Sequence, residues 1–145
     1  MEIRKPNNAE LETILEMSPQ ALFEGTLGRV RPTDEKIKRL VEPLLEKGCC
    51  YFIAAEQDTL MGWILTGSAK DQFTDETIGF IYELYVIQEF RGKGISKHIM
   101  RSAMEHLQSE GYREIRLGVF AGNHAIELYK QMGFTERNTT MSLML

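Results

Sequence analysis

A strand that runs through a glycine-bearing loop into a helix constrains this chain more than any other feature of its sequence. In the run Ile78–Ile87 the only charged residue is Glu83. As a strand it puts Ile78, Phe80, Tyr82, Leu84 and Val86 on one face and Gly79, Ile81, Glu83, Tyr85 and Ile87 on the other. After the loop, Ile95, Ile99, Met100, Ala103, Met104 and Leu107 recur at helical spacing, and Gly111 supplies the stop. Ile115, Leu117 and Val119 then alternate with Glu114, Arg116 and Gly118, which reads as a second strand. A strand, helix, strand unit from Ile78 to Phe120 predicts a right-handed parallel crossover. Its first loop then lies at a ligand-accepting strand end.

The flanking sequence completes one mixed α/β domain, 1–145. A first strand over Met1–Lys5 precedes a helix capped by Asn7 or Asn8, with Leu11, Ile14 and Leu15 on one face and Ser18-Pro19 as its predicted end. Thr33-Asp34-Glu35 opens a second helix carrying Ile37, Leu40, Val41, Leu44 and Leu45, in which Pro43 predicts a kink or a break. Cys49–Ala55 and Leu60–Thr66 flank a polar turn and read as a hairpin. A last helix is predicted over Asn123–Met132, with closing strands at Phe134 and Met141–Leu145. With 145 residues the chain buries roughly two-thirds of its unfolded surface, so its core needs neither metal nor disulfide.

The formal charge of −4 disfavours sequence-independent nucleic-acid binding, so no nucleic-acid partner is expected. No apolar stretch approaches the ~20 residues of a membrane helix, and the start lacks a secretory signal. A cytoplasmic protein with no membrane partner is expected. Cys49 and Cys50, being adjacent, read as reduced strand residues, and no histidine has ligand spacing to them, so no metal is expected.

In this acidic chain, Arg91, Lys93 and Lys97 gather around Gly92 and Gly94 at a helix start. Amides there, with the positive end of the helix dipole, suit a phosphate or pyrophosphate. A tight turn with solvated basic residues fits the same residues equally well. The nucleotide loop of Gly, four residues, then Gly-Lys-Ser or Thr is absent, and the dinucleotide fingerprint would need a glycine at Lys97.

Arg91-Gly92-Lys93-Gly94-Ile95-Ser96 resembles the pyrophosphate loop of the GNAT superfamily of acyl-CoA-dependent N-acyltransferases, with Ser96 in a place that family gives to glycine or alanine. Leu84-Tyr85-Val86 upstream and Asn123–Tyr129 with Gly133-Phe134 downstream extend the resemblance over Ile78–Phe134. It implies a GNAT-like fold: a mixed, mostly antiparallel twisted sheet, splayed between its fourth and fifth strands and flanked by about four helices. It also implies acetyl-CoA as co-substrate. The pantetheine arm would pair with the backbone at Tyr85 and Val86, the amides of Arg91, Gly92, Lys93, Gly94, Ile95 and Ser96 would grip the diphosphate, and Asn123 would contact the pantetheine.

Transfer of an acetyl group to a primary amine by direct attack needs a neutral nucleophile, a stabilised oxyanion and a protonated leaving thiolate. By the resemblance, Tyr129 is the general acid and Glu83 the general base, and an amide of the Tyr85–Val86 region holds the oxyanion. Tyr129 also suits simple packing in the last helix, Glu83 a salt bridge or contact with water at a strand irregularity, and Asn123 a helix cap. The acceptor, a small-molecule or peptide amine, has no motif. The first two helices and the 70–76 loop, with Glu24, Arg29, Arg31 and Asp71, are its expected surroundings. A homodimer follows from family habit alone. A non-catalytic acyl-CoA-binding or sensing module is the competing reading.

Overall fold

The computed structural model describes Met1–Leu145. Its elements are β1 (Glu2–Arg4), α1 (Asn8–Gly25), α2 (Asp34–Glu46), β2 (Cys50–Glu56), β3 (Thr59–Lys70), β4 (Thr77–Val86), α3 (Ile95–Ser109), β5 (Ile115–Leu117) and α4 (Ala125–Gln131). They build a five-stranded sheet in the order β1-β2-β3-β4-β5, antiparallel except for the parallel β4–β5 pair. This is the expected mixed α/β architecture.

Two cores form, one on each face of the sheet. Ile14 and Ala21 of α1 and Ile37 and Val41 of α2 pack on Tyr51, Ile53, Trp63, Leu65 and Tyr85. On the other face, Ile95, Ile99, Met100, Ala103 and Leu107 of α3 cover Ala54, Met61, Ile64 and Ile81, with Leu128 and Tyr129 of α4 at the margin.

The expected end of α1 at Pro19 needs correction. α1 starts as predicted, with Asn7 and Glu10 exchanging side chain to backbone bonds of 2.8 and 2.9 Å. It then continues through Pro19 to Gly25. The proline removes one ladder bond, while buried Ser18 donates its hydroxyl to Ile14 O at 2.7 Å and Ala21 reaches the core. Burial on both sides of the proline outweighs that lost bond. α2 is one helix across Pro43, so of the kink or break expected there the break does not occur.

The expected closing strands do not form: no helix or strand follows Gln131, and Met141, Leu143, Met144 and Leu145 are exposed. β5 stops at Leu117, so Val119 also lies outside the sheet.

The two-face pattern expected for β4 holds only in part. Opposite β4, Leu65 pairs with Glu83 but Thr66 pairs with Ile81, so Tyr82 is an extra residue in a bulge. Every position after it is turned over relative to those before. Ile81 packs beneath α3, and so do Leu84 and Val86, whereas Tyr82, Tyr85 and Ile87 join the α1–α2 side. The bulge is what brings Glu83 round to the α1–α2 face.

Candidate active site

β5 pairs with β4 only through Gly79, Phe80 and Ile81, so the two strands part at the bulge and β4 has an open edge beyond it. The register identifies which groups face that opening. Ile87 N donates to Met61 O at 2.9 Å, which makes their neighbours Val86 and Gly62 a pair whose backbone groups point away from each other. Two residues back, Leu84 shares this orientation, whereas Tyr85 directs its backbone at Trp63. Thus Leu84 and Val86 present backbone N–H and C=O to the cleft. Of the expected pair, Val86 is placed there and Tyr85 is not; its backbone belongs to the β3 ladder. Leu84 takes its place, because a bulge on β4 cannot be read without its partner strand.

At the end of this edge, a single 3₁₀ turn over Gln88–Phe90 leads into the glycine loop. Arg91 N is engaged, donating to Gln88 O at 3.2 Å. The first amide to enter the α3 ladder is His98 N, at 3.2 Å from Gly94 O, and no side chain caps the helix. The amides between these points, from Gly92 to Lys97, therefore have no hydrogen-bond partner within the chain and lie at the positive end of a fifteen-residue helix. Gly92 and Gly94 have φ of +80° and +77°, a conformation that costs other residues more. Ile95 is buried beneath the loop and anchors it. These features fit a diphosphate: a run of free donors, a helix dipole, and Lys93 and Lys97 alongside.

The Arg91 side chain turns away from the loop. Its Nε donates to Val86 O at 2.8 Å, its Nη2 to Glu24 Oε1 at 2.7 Å, and its guanidinium lies 5.1 Å from the Tyr85 ring centre. Glu24 also accepts from the Tyr85 hydroxyl at 2.7 Å and from Gln20 Nε2 at 2.9 Å. Burial alone would raise the Glu24 pKa, but these bonds from Gln20, Tyr85 and Arg91 hold it below the ordinary value. Burial, with the Glu24 carboxylate beside it, pushes the Tyr85 phenol up to about 12.

Glu83 has no salt bridge. It lies in one cross-strand row with Leu65 and Tyr51, beside the row of Tyr85, Trp63 and Ile53. Its Oε1, the Tyr51 hydroxyl and Trp63 Nε1 are all buried without a hydrogen-bond partner. Burial raises the Glu83 pKa to about 7, with the Trp63 indole opposing part of the shift. Burial and the charge of Glu83 also push the Tyr51 phenol upward. A carboxyl that changes charge near neutral pH beside unpaired donors is suited to taking a proton.

Tyr129 lies on the other face, among the residues beneath α3 and α4, with its ring centre 6.0 Å from Phe134. Burial raises its pKa, which keeps the phenol protonated. Glu83 and Tyr129 thus lie on opposite sides of the sheet. Asn123 joins two helices: its Oδ1 accepts from Ala125 N at 2.9 Å and its Nδ2 donates to Gly25 O at 3.1 Å, tying the start of α4 to the end of α1. The cap is present, and its amide group is engaged within the chain. Asp71, expected near an acceptor, is instead buried, bonded to Phe73 N, Thr74 N, Arg116 and Arg137. Arg29 and Arg31 lie over Phe120 and Phe23. No group of three or more His, Cys, Asp and Glu side chains is placed to hold a metal ion, and no helix is long and apolar enough to cross a membrane.

The model of the acetyltransferase (GNAT) family matches residues 12–134. This chain belongs to that family. Among its curated relatives is YycN of Bacillus subtilis, an uncharacterized N-acetyltransferase, 28% identical over 120 residues that cover 77% of this chain and 76% of YycN. The match spans less of others: 40% of human N-acetyltransferase 8 and 30% of a mycothiol acetyltransferase from Thermobispora bispora. An acetyl transferase of Pyrococcus furiosus superposes with a TM-score of 0.79 at 23% identity, over 99% of each chain. An acetyltransferase of Clostridium acetobutylicum, solved with acetyl-CoA, superposes with a TM-score of 0.77 at 17% identity, over 98% of this chain and 94% of its own. These last two likenesses concern the fold. As a GNAT protein, the chain is an acyltransferase of a family that moves acetyl groups from acetyl-CoA to amines.

Proposed function

We propose that this GNAT protein transfers an acetyl group from acetyl-CoA to a primary amine by direct attack in a ternary complex. The observation that carries the reading is the continuity of two surfaces: the β4 edge at Leu84 and Val86, which no strand pairs and where only Val86 O is engaged, by Arg91 Nε, and the unpartnered amide run from Gly92 to Lys97. The first suits the amide-bearing pantetheine arm as an added strand, the second the diphosphate. The chain's residues 1–145 would act as a single domain.

In this reading the thioester lies where β4 and β5 part. The Leu84 or Val86 amide stabilises the oxyanion. An aliphatic amine of pKa ~10.4 arrives protonated. Glu83, ionised above about pH 7, takes a proton from the α1–α2 side. The amine attacks the carbonyl carbon, its nitrogen gives up a second proton to water, the carbon–sulfur bond breaks, and the Tyr129 phenol gives its proton to the departing thiolate from the opposite face. Amide and free CoA leave, Glu83 releases its proton to solvent, and Tyr129 regains one from solvent.

CoA release measured against a panel of primary amines tests this. Turnover on at least one amine is expected; acetyl-CoA binding without turnover on any would favour the sensing module. Tyr129→Phe should lower kcat by about 10- to 100-fold and leave the acetyl-CoA Kd within about twofold. An unchanged kcat removes the acid role.

A further inference from the structure

Arg91 occupies two positions that the cofactor reading assigns elsewhere. As the arginine of the glycine loop it is a countercharge for a diphosphate, yet its guanidinium sits on Glu24. Its Nε also closes Val86 O, the last acceptor of the open β4 edge. A diphosphate bound at Gly92–Lys97 attracts the same guanidinium with more charge than one carboxylate, and a planar fork donor can exchange between such acceptors.

Once Arg91 moves, Glu24 keeps two neutral donors, Gln20 and Tyr85, and loses the cation it is paired with. Its carboxylate then stands at the end of α1, where Asn123 Nδ2 donates to Gly25 O. Tyr85, its hydrogen-bond donor, lies two residues from Glu83 on the same face of β4, a spacing of roughly 7 Å along a strand. Two carboxylates on one wall, one acting on the reacting nitrogen and one unpaired, match an acceptor with two cationic nitrogens.

We propose that Glu24 is the acceptor-selecting carboxylate, masked by Arg91 until the cofactor draws the guanidinium away, and that the site therefore prefers short diamines to monoamines. This rests on the acetyl-CoA reading above. Exchange makes cofactor and diamine bind cooperatively, and by linkage each raises the affinity of the other by one factor.

Calorimetry of the full chain with CoA tests the masking. Glu24→Gln, which preserves the shape and frees Arg91, should bind CoA about 5- to 20-fold more tightly than wild type. Equal or weaker binding overturns the masking, whereas a wild-type chain that binds no CoA refutes the underlying cofactor reading instead. A second measurement needs no variant: the Arg91 Nε–H resonance should shift on adding CoA as its bond to Val86 O breaks, and a static resonance contradicts the exchange. For selectivity, butane-1,4-diamine should have a KM at least about tenfold below that of butylamine at saturating acetyl-CoA. Glu24→Gln should erase that ratio by raising the KM for butane-1,4-diamine toward that for butylamine. A wild-type ratio near one, or a ratio that survives the substitution, overturns the selecting role.

Discussion

Glu83→Gln is expected to lower kcat/KM for amine acetylation by about 10²-fold or more near neutral pH. The wild-type rate should rise with pH through about 7, where burial has placed the carboxyl, and the variant should lose that limb. Partial recovery is expected only at alkaline pH, where more of the amine is already neutral.

The same substitution has an opposite effect on stability. The Glu83 pKa is raised from 4.5 to about 7, so between those values the native state holds a proton that the unfolded chain has released. Wild-type stability therefore falls as pH rises through this window and levels off above it. The full shift corresponds to about 3 kcal/mol as an upper bound. Glu83→Gln should be more stable than wild type at pH 8 while being less active, and urea denaturation at pH 5 and pH 8 measures the difference. A variant with wild-type activity and an unaltered pH profile would dismiss the base; one with an unaltered stability slope would show that Glu83 is not desolvated.

Gly94→Val should weaken CoA binding by about 30- to 100-fold. Gly94 is the residue before α3, with φ of +77°, and no side-chain atom lies near enough to clash with an added Cβ. The cost is thus conformational: a β-branched residue is driven from the left-handed region, at roughly 1–3 kcal/mol if it is held there. Relief of that strain turns the amides that follow, and free donors are useful to a diphosphate only while they converge. Because Ile95 still anchors the helix in its core, the fold should survive with a modestly lower melting temperature. An unchanged CoA Kd would show that the loop amides do not hold the cofactor.

How much could be read from the sequence varies with the range of the interactions involved. The β4–loop–α3–β5 unit was legible because strand alternation, loop glycines and helical spacing are local signals. The unpaired amides at Gly92–Lys97 follow from the same local pattern. The bulge at Tyr82 depends on where β3 shifts register, so the exchange of Tyr85 for Leu84 at the open edge was not legible. Nor were the orphaned Tyr51 and Trp63 polar atoms beside Glu83, which come together only across three strands. Pro19 misled for a related reason: local chemistry ends a helix there, while the core on both sides of it carries the helix on. Glu24 stood among several charges without a motif until Arg91 and Tyr85, more than sixty residues away, reached it.

The central claim is that the amides beyond β4 hold the diphosphate of CoA. Calorimetric titration of the wild-type protein with CoA and with pantetheine, which lacks the diphosphate, tests it most directly. The account predicts that CoA binds at least about 100-fold more tightly than pantetheine; equal affinities, or no heat with CoA, would contradict it.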